Sequence, residues 1–148
     1  MLMQALLGVF VTDSRAGLAA LRGERKCRMS ASRVIQEYWR LLEERAWEPW
    51  SSLLHPDFVC EWPQSEERFD RQEFLLVNRH YPGDWHATVR SIHDAGEWVV
   101  SEAEVKLDGR IDRAVSFFRL RDMKIVALRE FWPEPFAVPE WRKKIGGP

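Results

Sequence analysis

The stretch EWVVSEAEVKLDGRIDRAVSFFRLRDMKIVALREFW, residues 97–132, decides the fold of this chain. Apolar side chains recur there at every second position, which is the period of a β-strand with one buried face. Turn signals divide the stretch at Asp108-Gly109, a pair that favours tight hairpins, and at Asp122-Met123. A further alternating run precedes it and ends at Ala95-Gly96. The pattern predicts an antiparallel meander of four strands, roughly Trp85–Asp94, Glu97–Leu107, Asp112–Leu120 and Lys124–Trp132.

The segments upstream of the meander have the helical period instead, and they predict three helices. Ser30 or Ser32 can cap the first helix, and Pro56 is expected to stop the second. Asp70 and Glu73 resemble a capping box at the start of the third. The stripes that define the helices are Val34, Tyr38, Leu41 and Leu42; Trp47, Trp50, Leu53 and Leu54; and Phe74, Val77, Asn78 and Tyr81.

A short alternating segment, Phe58–Trp62, predicts one more strand between the second and third helices. Helices that come first and an antiparallel meander that comes last are typical of an α+β domain, in which helices cover one face of a curved sheet. With 148 residues and 45% apolar content, the chain is long enough for one such domain with a real core.

Charge and cysteine content exclude several classes of function. The net charge is −1 and the pI is near 6.4, whereas proteins that bind nucleic acid or a membrane surface usually carry a basic field. Cys27 and Cys60 lack the paired spacing of a zinc site or a disulfide framework. We therefore expect no nucleic-acid partner, no membrane partner, and reduced thiols in a cytoplasmic protein.

Residues 1–28 differ from the rest of the chain, because an apolar run is followed by a basic stretch. A secretory signal has the opposite order, and the run is too short to span a bilayer. We expect residues 1–28 to be an extension, either disordered or upstream of a true translation start at Met29, and residues 29–148 to form the domain. A targeting peptide is the alternative.

Alternation assigns the side chains of the meander to two faces. Glu130 belongs to a row that is otherwise apolar and should face the helices, where a charge is costly unless it is paired or protonated. The predicted inward sets are Val99, Ser101, Ala103, Val105 and Leu107; Ala114, Ser116, Phe118 and Leu120; and Val126, Leu128, Glu130 and Trp132.

The opposite face of the sheet combines aromatic side chains with charges of both signs. Such a mixture suits a two-fold contact between identical chains, so we expect a homodimer formed through the outer sheet face. The alternative is a monomer whose outer charges are simply solvated. The residues concerned are Glu102, Glu104, Arg113, Phe117, Arg119, Arg129 and Phe131.

Glu130 is the candidate catalytic residue. A carboxylate in an aromatic pocket has its charged form destabilised, so its pKa rises and it can act as acid or base near neutral pH. Asn78 and Tyr81 could donate hydrogen bonds to a developing oxyanion. Two alternatives remain open: an ion pair of Glu130 with Arg68, Arg79 or Arg90, and a helix terminus at Asn78 and Tyr81 that is hydrogen-bonded to a loop.

The four histidines, His55, His80, His86 and His93, do not have the spacing of metal ligands. The sequence contains no nucleophile-elbow, phosphate-loop or dinucleotide-binding signature. We therefore expect no metal site and no cofactor.

Five runs of residues carry a family resemblance: residues 61–68 (EWPQSEER), 78–86 (NRHYPGDWH), 114–118 (AVSFF), 130–136 (EFWPEPF) and 139–142 (PEWR). They resemble a bacterial subgroup of SnoaL-like proteins in the nuclear transport factor 2-like (NTF2-like) superfamily. The resemblance extends from Ser30 to Arg142. It implies a cone-shaped fold of three N-terminal helices packed on a strongly curved, mainly antiparallel sheet, usually as a dimer with the pocket inside the cone.

The superfamily includes polyketide cyclases, ketosteroid isomerases, scytalone dehydratase and limonene epoxide hydrolase, beside non-catalytic binding modules. Their shared cofactor-free acid/base chemistry would fall here on Glu130 or Glu61. The Asp/His pair of the polyketide cyclases is not found, since Trp132-Pro133 follows Glu130. The Asp-Arg-Asp relay of the epoxide hydrolases is not assigned, although Asp112-Arg113 lies nearby.

We therefore predict a protein with an internal apolar pocket that binds a small apolar or mixed-polarity molecule. The alternative is a cofactor-free isomerase, cyclase or hydrolase that uses Glu130 as general acid/base. The predicted ligand-binding residues are Trp62, Gln64, Asn78, Tyr81, Trp85, Ser101, Ser116, Phe118 and Trp132.

Overall fold

The fold is given by a computed structural model, which describes residues 30–145. The predicted N-terminal extension therefore lies outside the described residues. The helices are α1 (Ala31–Glu43), α2 (Trp47–Ser52), α3 (Arg71–Arg79) and α4 (Glu140–Lys143). The strands are β1 (Leu54–Trp62), β2 (Glu67–Asp70), β3 (Trp85–Ala95), β4 (Trp98–Leu107), β5 (Arg110–Arg121) and β6 (Lys124–Phe131).

The six strands of this region form one mixed sheet in the order β2-β1-β6-β5-β4-β3. The pairing of β1 with β6 is parallel, and the other four pairings are antiparallel. Helix α1 contacts β3 and β4, and α3 contacts β1 and β2. The α+β class is confirmed. Residues 30–145 contain four helices rather than three, and the sheet is not strongly curled, so the cone-shaped form is not confirmed.

Two helices begin at the predicted caps. The Ser30 hydroxyl accepts a hydrogen bond from the backbone N–H of Arg33 at 3.3 Å. The Asp70 carboxylate accepts from the backbone N–H groups of Gln72 and Glu73 at 2.8 and 2.9 Å. The Glu73 carboxylate in turn accepts from the backbone N–H of Asp70, which completes the predicted capping box. These bonds satisfy amide groups that the first helical turn leaves without partners.

The predicted role of Pro56 is wrong. Helix α2 ends at Ser52 and β1 begins at Leu54, so Pro56 lies inside a strand. The pairing of β1 with β6 shifts register between Leu54 and Val59, and Pro56 falls in that irregular stretch, where its missing N–H disrupts no regular ladder.

Strand β2 is also missing from the sequence prediction, because only Phe69 among its four residues is partly shielded from solvent.

The inward face of the sheet is largely as predicted, since buried and less buried positions alternate along β4 and β5. Val126 is buried as well, but it lies outside the main core cluster. The register between β5 and β6 shifts next to Leu120, and Ile125, which was not predicted to face inward, joins that cluster. None of the helices in residues 30–145 is long and apolar enough to cross a bilayer.

Aromatic rings connect the first three helices with the sheet. The ring of Tyr38 in α1 lies 5.1 Å from Phe118 in β5 and 5.3 Å from Trp50 in α2. The ring of Phe74 in α3 lies 5.5 Å from Trp50 and 5.3 Å from Phe58 in β1. Aromatic pairs at such separations contribute about 0.5–1.5 kcal/mol each beyond the area that they bury. These contacts fix α1, α2 and α3 over one face of the sheet.

Candidate functional site

A cavity of about 290 Å³ is lined by residues of α1, the end of α3 and five of the strands. Seven of the predicted site residues line it: Trp62, Gln64, Asn78, Tyr81, Trp85, Glu130 and Trp132. The sheet thus places side chains from separate parts of the sequence around one hollow.

Three predicted ligand-binding residues do not line the cavity. The Ser101 hydroxyl accepts a hydrogen bond from the indole N–H of Trp39 at 3.0 Å. The Ser116 hydroxyl donates to Glu130 at 2.7 Å. Phe118 is fully buried in the core. Alternation correctly assigned these three side chains to the inner face of the sheet, but neighbouring side chains cover them there.

Glu130 is 3% exposed, and three neutral groups donate hydrogen bonds to its carboxylate. The Ser116 hydroxyl donates to Oε1 at 2.7 Å. The indole N–H groups of Trp62 and Trp132 donate to Oε2 at 3.1 and 2.9 Å. Ser116 is the register partner of Glu130 on β5, and Trp62 ends the neighbouring strand β1. The strands on both sides of β6 therefore contribute to holding this carboxylate.

Burial raises the pKa of the Glu130 carboxyl, and the three hydrogen bonds offset part of that rise. The alternative of an ion pair is wrong. Arg68 pairs with Glu61 at 3.1 Å, Arg90 pairs with Glu104, and Glu130 forms no ion pair with any residue between positions 30 and 145. Because its partners are neutral, the charge or the proton of Glu130 remains available to a molecule in the cavity.

Asn78 and Tyr81 lie at the cavity next to the end of α3. The side-chain amide of Asn78 donates to the backbone oxygen of Phe74 at 2.8 Å, which is a bond within the helix. The Tyr81 side chain is 45% exposed, and its ring lies 6.4 Å from that of Trp85. Asn78 therefore fits both predictions made for it. It borders the cavity, and its side-chain amide is also hydrogen-bonded at the end of α3.

The sequence analysis missed three polar lining residues, Tyr38, Ser65 and Asp112. The Tyr38 hydroxyl has no hydrogen-bond partner among the residues that the structure describes, and burial together with the nearby Glu130 raises the pKa of Tyr38 well above its usual range. Its signal in the sequence was a hydroxyl on an otherwise apolar helical stripe. Asp112 pairs with Arg110 at 2.7 Å. The other lining residues are Trp39, Leu42, Ala87, Val105 and Leu107.

Contacts between the end of α1 and β3 fix the wall of the cavity that contains Trp85. Arg45 donates to the backbone oxygen of Trp85 at 2.8 Å, and its guanidinium carbon lies 4.4 Å from the centre of the Trp85 ring. The Glu43 carboxylate accepts from the backbone N–H of Ala87 at 2.6 Å and contacts His86 Nδ1 at 2.8 Å. The hydrogen bond to Glu43 raises the pKa of His86.

Within residues 30–145, no group of three or more His, Cys, Asp or Glu side chains is arranged to hold a metal ion.

The sequence profile of the SnoaL-like domain matches residues 35–128 of the chain. The chain belongs to this family. The resemblance found in the sequence is thereby confirmed, although no curated protein matches this SnoaL-like chain significantly.

Solved structures similar to this SnoaL-like domain agree with the assignment. A candidate ketosteroid isomerase from Kribbella flavida is 29% identical, with 80% of this chain and 88% of that one covered and a TM-score of 0.76. An NTF2-like protein of unknown function from Burkholderia xenovorans is 24% identical, with 80% and 94% covered and a TM-score of 0.69. IdmH, a proposed polyketide cyclase from Streptomyces antibioticus, is 20% identical, with 70% and 91% covered and a TM-score of 0.61.

The raised pKa of Glu130 predicts how the stability of this SnoaL-like domain depends on pH. The folded state holds the Glu130 proton more tightly than the unfolded chain, so this contribution is greatest below about pH 4.3, the ordinary glutamate pKa, and is lost as pH rises through the raised value. Relative to Glu130→Gln, the wild type should therefore become less stable with rising pH over that window. Urea unfolding of both proteins at a series of pH values measures the difference.

Glu102→Gln is the matched control for this measurement, because Glu102 lies on β4 and its side chain belongs to the opposite face of the sheet. The difference in the free energy of unfolding between Glu102→Gln and the wild type should change much less over the same pH window. If the advantage of the wild type over Glu130→Gln grows with pH, the pKa of Glu130 is lowered rather than raised, and the proposed electrostatics of the site are wrong.

Proposed function

We propose that this protein binds a small, largely apolar molecule in the cavity and orients it through Glu130. The observation that carries the proposal is a buried carboxylate, held within residues 30–145 by neutral donors, in the wall of a hollow that is otherwise mostly apolar. Ligand sites typically combine such apolar walls with a few polar groups that set orientation. The cavity volume of about 290 Å³ lies near the lower end of the range for such sites, which favours a small ligand.

The second candidate function is isomerisation by proton transfer, for which Glu130 and Tyr38 supply the required groups. Ionised Glu130 would take a proton from the carbon next to a ketone, and the Tyr38 hydroxyl would donate a hydrogen bond to the resulting enolate oxygen. Glu130 would then return the proton to a different carbon, so that a double bond shifts and no cofactor is consumed. The similarity to the candidate ketosteroid isomerase from Kribbella flavida supports this reaction class.

We also propose that the protein forms a homodimer through the outer face of the sheet. The Phe117 and Phe131 rings lie 6.1 Å apart on that face, and Glu104 pairs there with Arg90 and Arg113. Aromatic side chains surrounded by satisfied charges are typical of contacts between protein subunits. The cavity lies on the other face, so the dimer would leave the ligand site unobstructed.

Filling the cavity should abolish ligand binding. Ala87 lines the cavity, and Ala87→Phe places a ring in the space that a ligand would occupy. We expect the neutral fluorophore aminoanthracene to bind the wild type and to bind Ala87→Phe at least about tenfold more weakly, since overpacking costs about 1–3 kcal/mol. Its fluorescence enhancement measures binding. Thr88→Phe, at the adjacent exposed position, is the control and should bind normally. Equal binding by all three proteins would show that the fluorophore does not occupy this cavity.

The isomerase candidate predicts that the protein converts a β,γ-unsaturated cyclohexenone into its conjugated isomer. Glu130→Gln should reduce the rate by about 10²-fold or more, because loss of a general base typically has an effect of that size. Tyr38→Phe should also reduce it, through loss of the hydrogen bond to the enolate. The ultraviolet absorbance of the conjugated ketone measures turnover. A rate that is unchanged in Glu130→Gln would eliminate Glu130 as the catalyst, while Glu102→Gln should retain the wild-type rate.

The dimer proposal predicts that the wild-type protein sediments as a dimer at micromolar concentration. Phe117→Glu introduces a charge at the centre of the outer face and should shift the protein to a monomer, because a buried unpaired charge is costly. Met123→Glu, on an exposed turn, serves as the control and should not change the association state. Analytical ultracentrifugation distinguishes the two states. A wild type that remains monomeric at high micromolar concentration would refute the dimer.

A further inference from the structure

The hydrogen-bonding capacity of Glu130 is not completely used by the residues that the structure describes. A carboxylate has about four acceptor positions, two on each oxygen. Oε2 accepts two hydrogen bonds, from Trp62 and Trp132, whereas Oε1 accepts one, from Ser116. One acceptor position on Oε1 is therefore left for a ligand. A ligand that fits this carboxylate needs a single donor at the point where it meets Glu130.

The charge of Glu130 is also uncompensated. Among residues 30–145, those that line the cavity include no Lys, Arg or His, and the other acidic side chain among them, Asp112, pairs with Arg110. A carboxylate ion at this depth is stabilised far more by a positive charge than by neutral donors alone. The site therefore favours a ligand that carries a positive charge of its own.

Aromatic residues make up six of the fifteen that line the cavity. Trp62 and Trp132 direct their indole N–H groups at Glu130, so these rings lie directly beside the carboxylate. The ring of Trp85 already has a guanidinium group, that of Arg45, 4.4 Å from its centre. Aromatic rings attract cations through the negative charge of their faces, and tryptophan does so most strongly. Trp85 thus shows that an aromatic residue of the cavity wall already holds a cation against its ring.

We propose that the natural ligand is a protonated tertiary amine. Its single N–H donates to Glu130 Oε1, and its alkyl groups contact the indole rings of Trp62 and Trp132. This assignment rests on the proposed ligand-binding function and specifies the chemical class of the ligand. A primary ammonium has three donors, where Glu130 Oε1 offers one acceptor position. A quaternary ammonium has none and would leave Oε1 unsatisfied.

Three probes of nearly the same shape test the assignment on the wild-type protein. N,N-dimethylbenzylamine, protonated at neutral pH, carries the charge and one N–H; benzyltrimethylammonium carries the charge without the N–H; isobutylbenzene is the neutral isostere of the first. We expect the first to bind at least about tenfold more tightly than isobutylbenzene, because a charge-assisted hydrogen bond and a cation–π contact both favour it. It should also bind more tightly than benzyltrimethylammonium. Quenching of tryptophan fluorescence measures all three affinities.

Glu130→Gln tests the role of the carboxylate without a large change of shape. The amide oxygen can accept from Trp62 and Trp132, and the amide nitrogen can donate to the Ser116 hydroxyl, so the three contacts can persist. The remaining position then presents an N–H instead of an acceptor. We expect this variant to lose about tenfold or more in affinity for protonated dimethylbenzylamine, since both the charge and the acceptor are gone. Glu102→Gln, which removes a charge from the opposite face of the sheet, should bind as the wild type does.

The outcomes separate this inference from the proposed function. Isobutylbenzene binding as tightly as the tertiary amine, or an affinity for the amine that is unchanged in Glu130→Gln, would overturn the cationic ligand while leaving a cavity that binds apolar molecules. Benzyltrimethylammonium binding as tightly as the amine would overturn the assignment of a single N–H donor. If the amine fails to bind while aminoanthracene binds, the ligand class is wrong. If neither binds, the ligand-binding function is wrong as well.

Discussion

The buried carboxylate of Glu130 is the constraint on which the organisation of the site depends. An acidic group at this depth is tolerated only when its oxygens are hydrogen-bonded, and its donors come from three places in the sequence. Ser116 belongs to the strand on one side of β6, and Trp62 ends the strand on the other side. Satisfying the carboxylate therefore fixes the orientation of two indole rings, and these rings form part of the cavity wall.

The parallel pairing of β1 with β6 is what brings this arrangement about. Trp62 and Glu130 are 68 positions apart, and the chain between them contains β2, α3 and the strands β3 to β5. A contact between residues so distant in sequence costs chain entropy, which the rest of the fold must offset. The carboxylate and its donors therefore depend on the complete sheet. A change that destabilises the sheet will also disturb the cavity, even when the altered residue lies far from Glu130.

The sequence predicted the meander, the caps at Ser30 and Asp70 and the inward position of Glu130, because each depends on a local pattern. Features that depend on tertiary pairing were beyond it. Pro56 has the local signature of a helix stop, yet the irregular register of β1 against β6 accommodates it in a strand. The same limitation applies to the site, since alternation places Ser116 on the inner face but cannot tell whether its hydroxyl meets a ligand or Glu130. Likewise, helical spacing places Tyr38 on the apolar stripe of α1 but cannot tell that this buried residue also lines the cavity.

The two candidate functions both use the ionised form of Glu130. Attraction of a cation requires that form, and so does removal of a proton from the carbon next to a ketone. The donors Ser116, Trp62 and Trp132 stabilise the ionised form, whereas burial favours the neutral acid and is the larger influence. A ligand with its own positive charge favours ionisation of Glu130 when it binds, whereas a neutral ketone brings no such charge. The charge of the ligand therefore influences how much of the carboxylate is ionised in the complex.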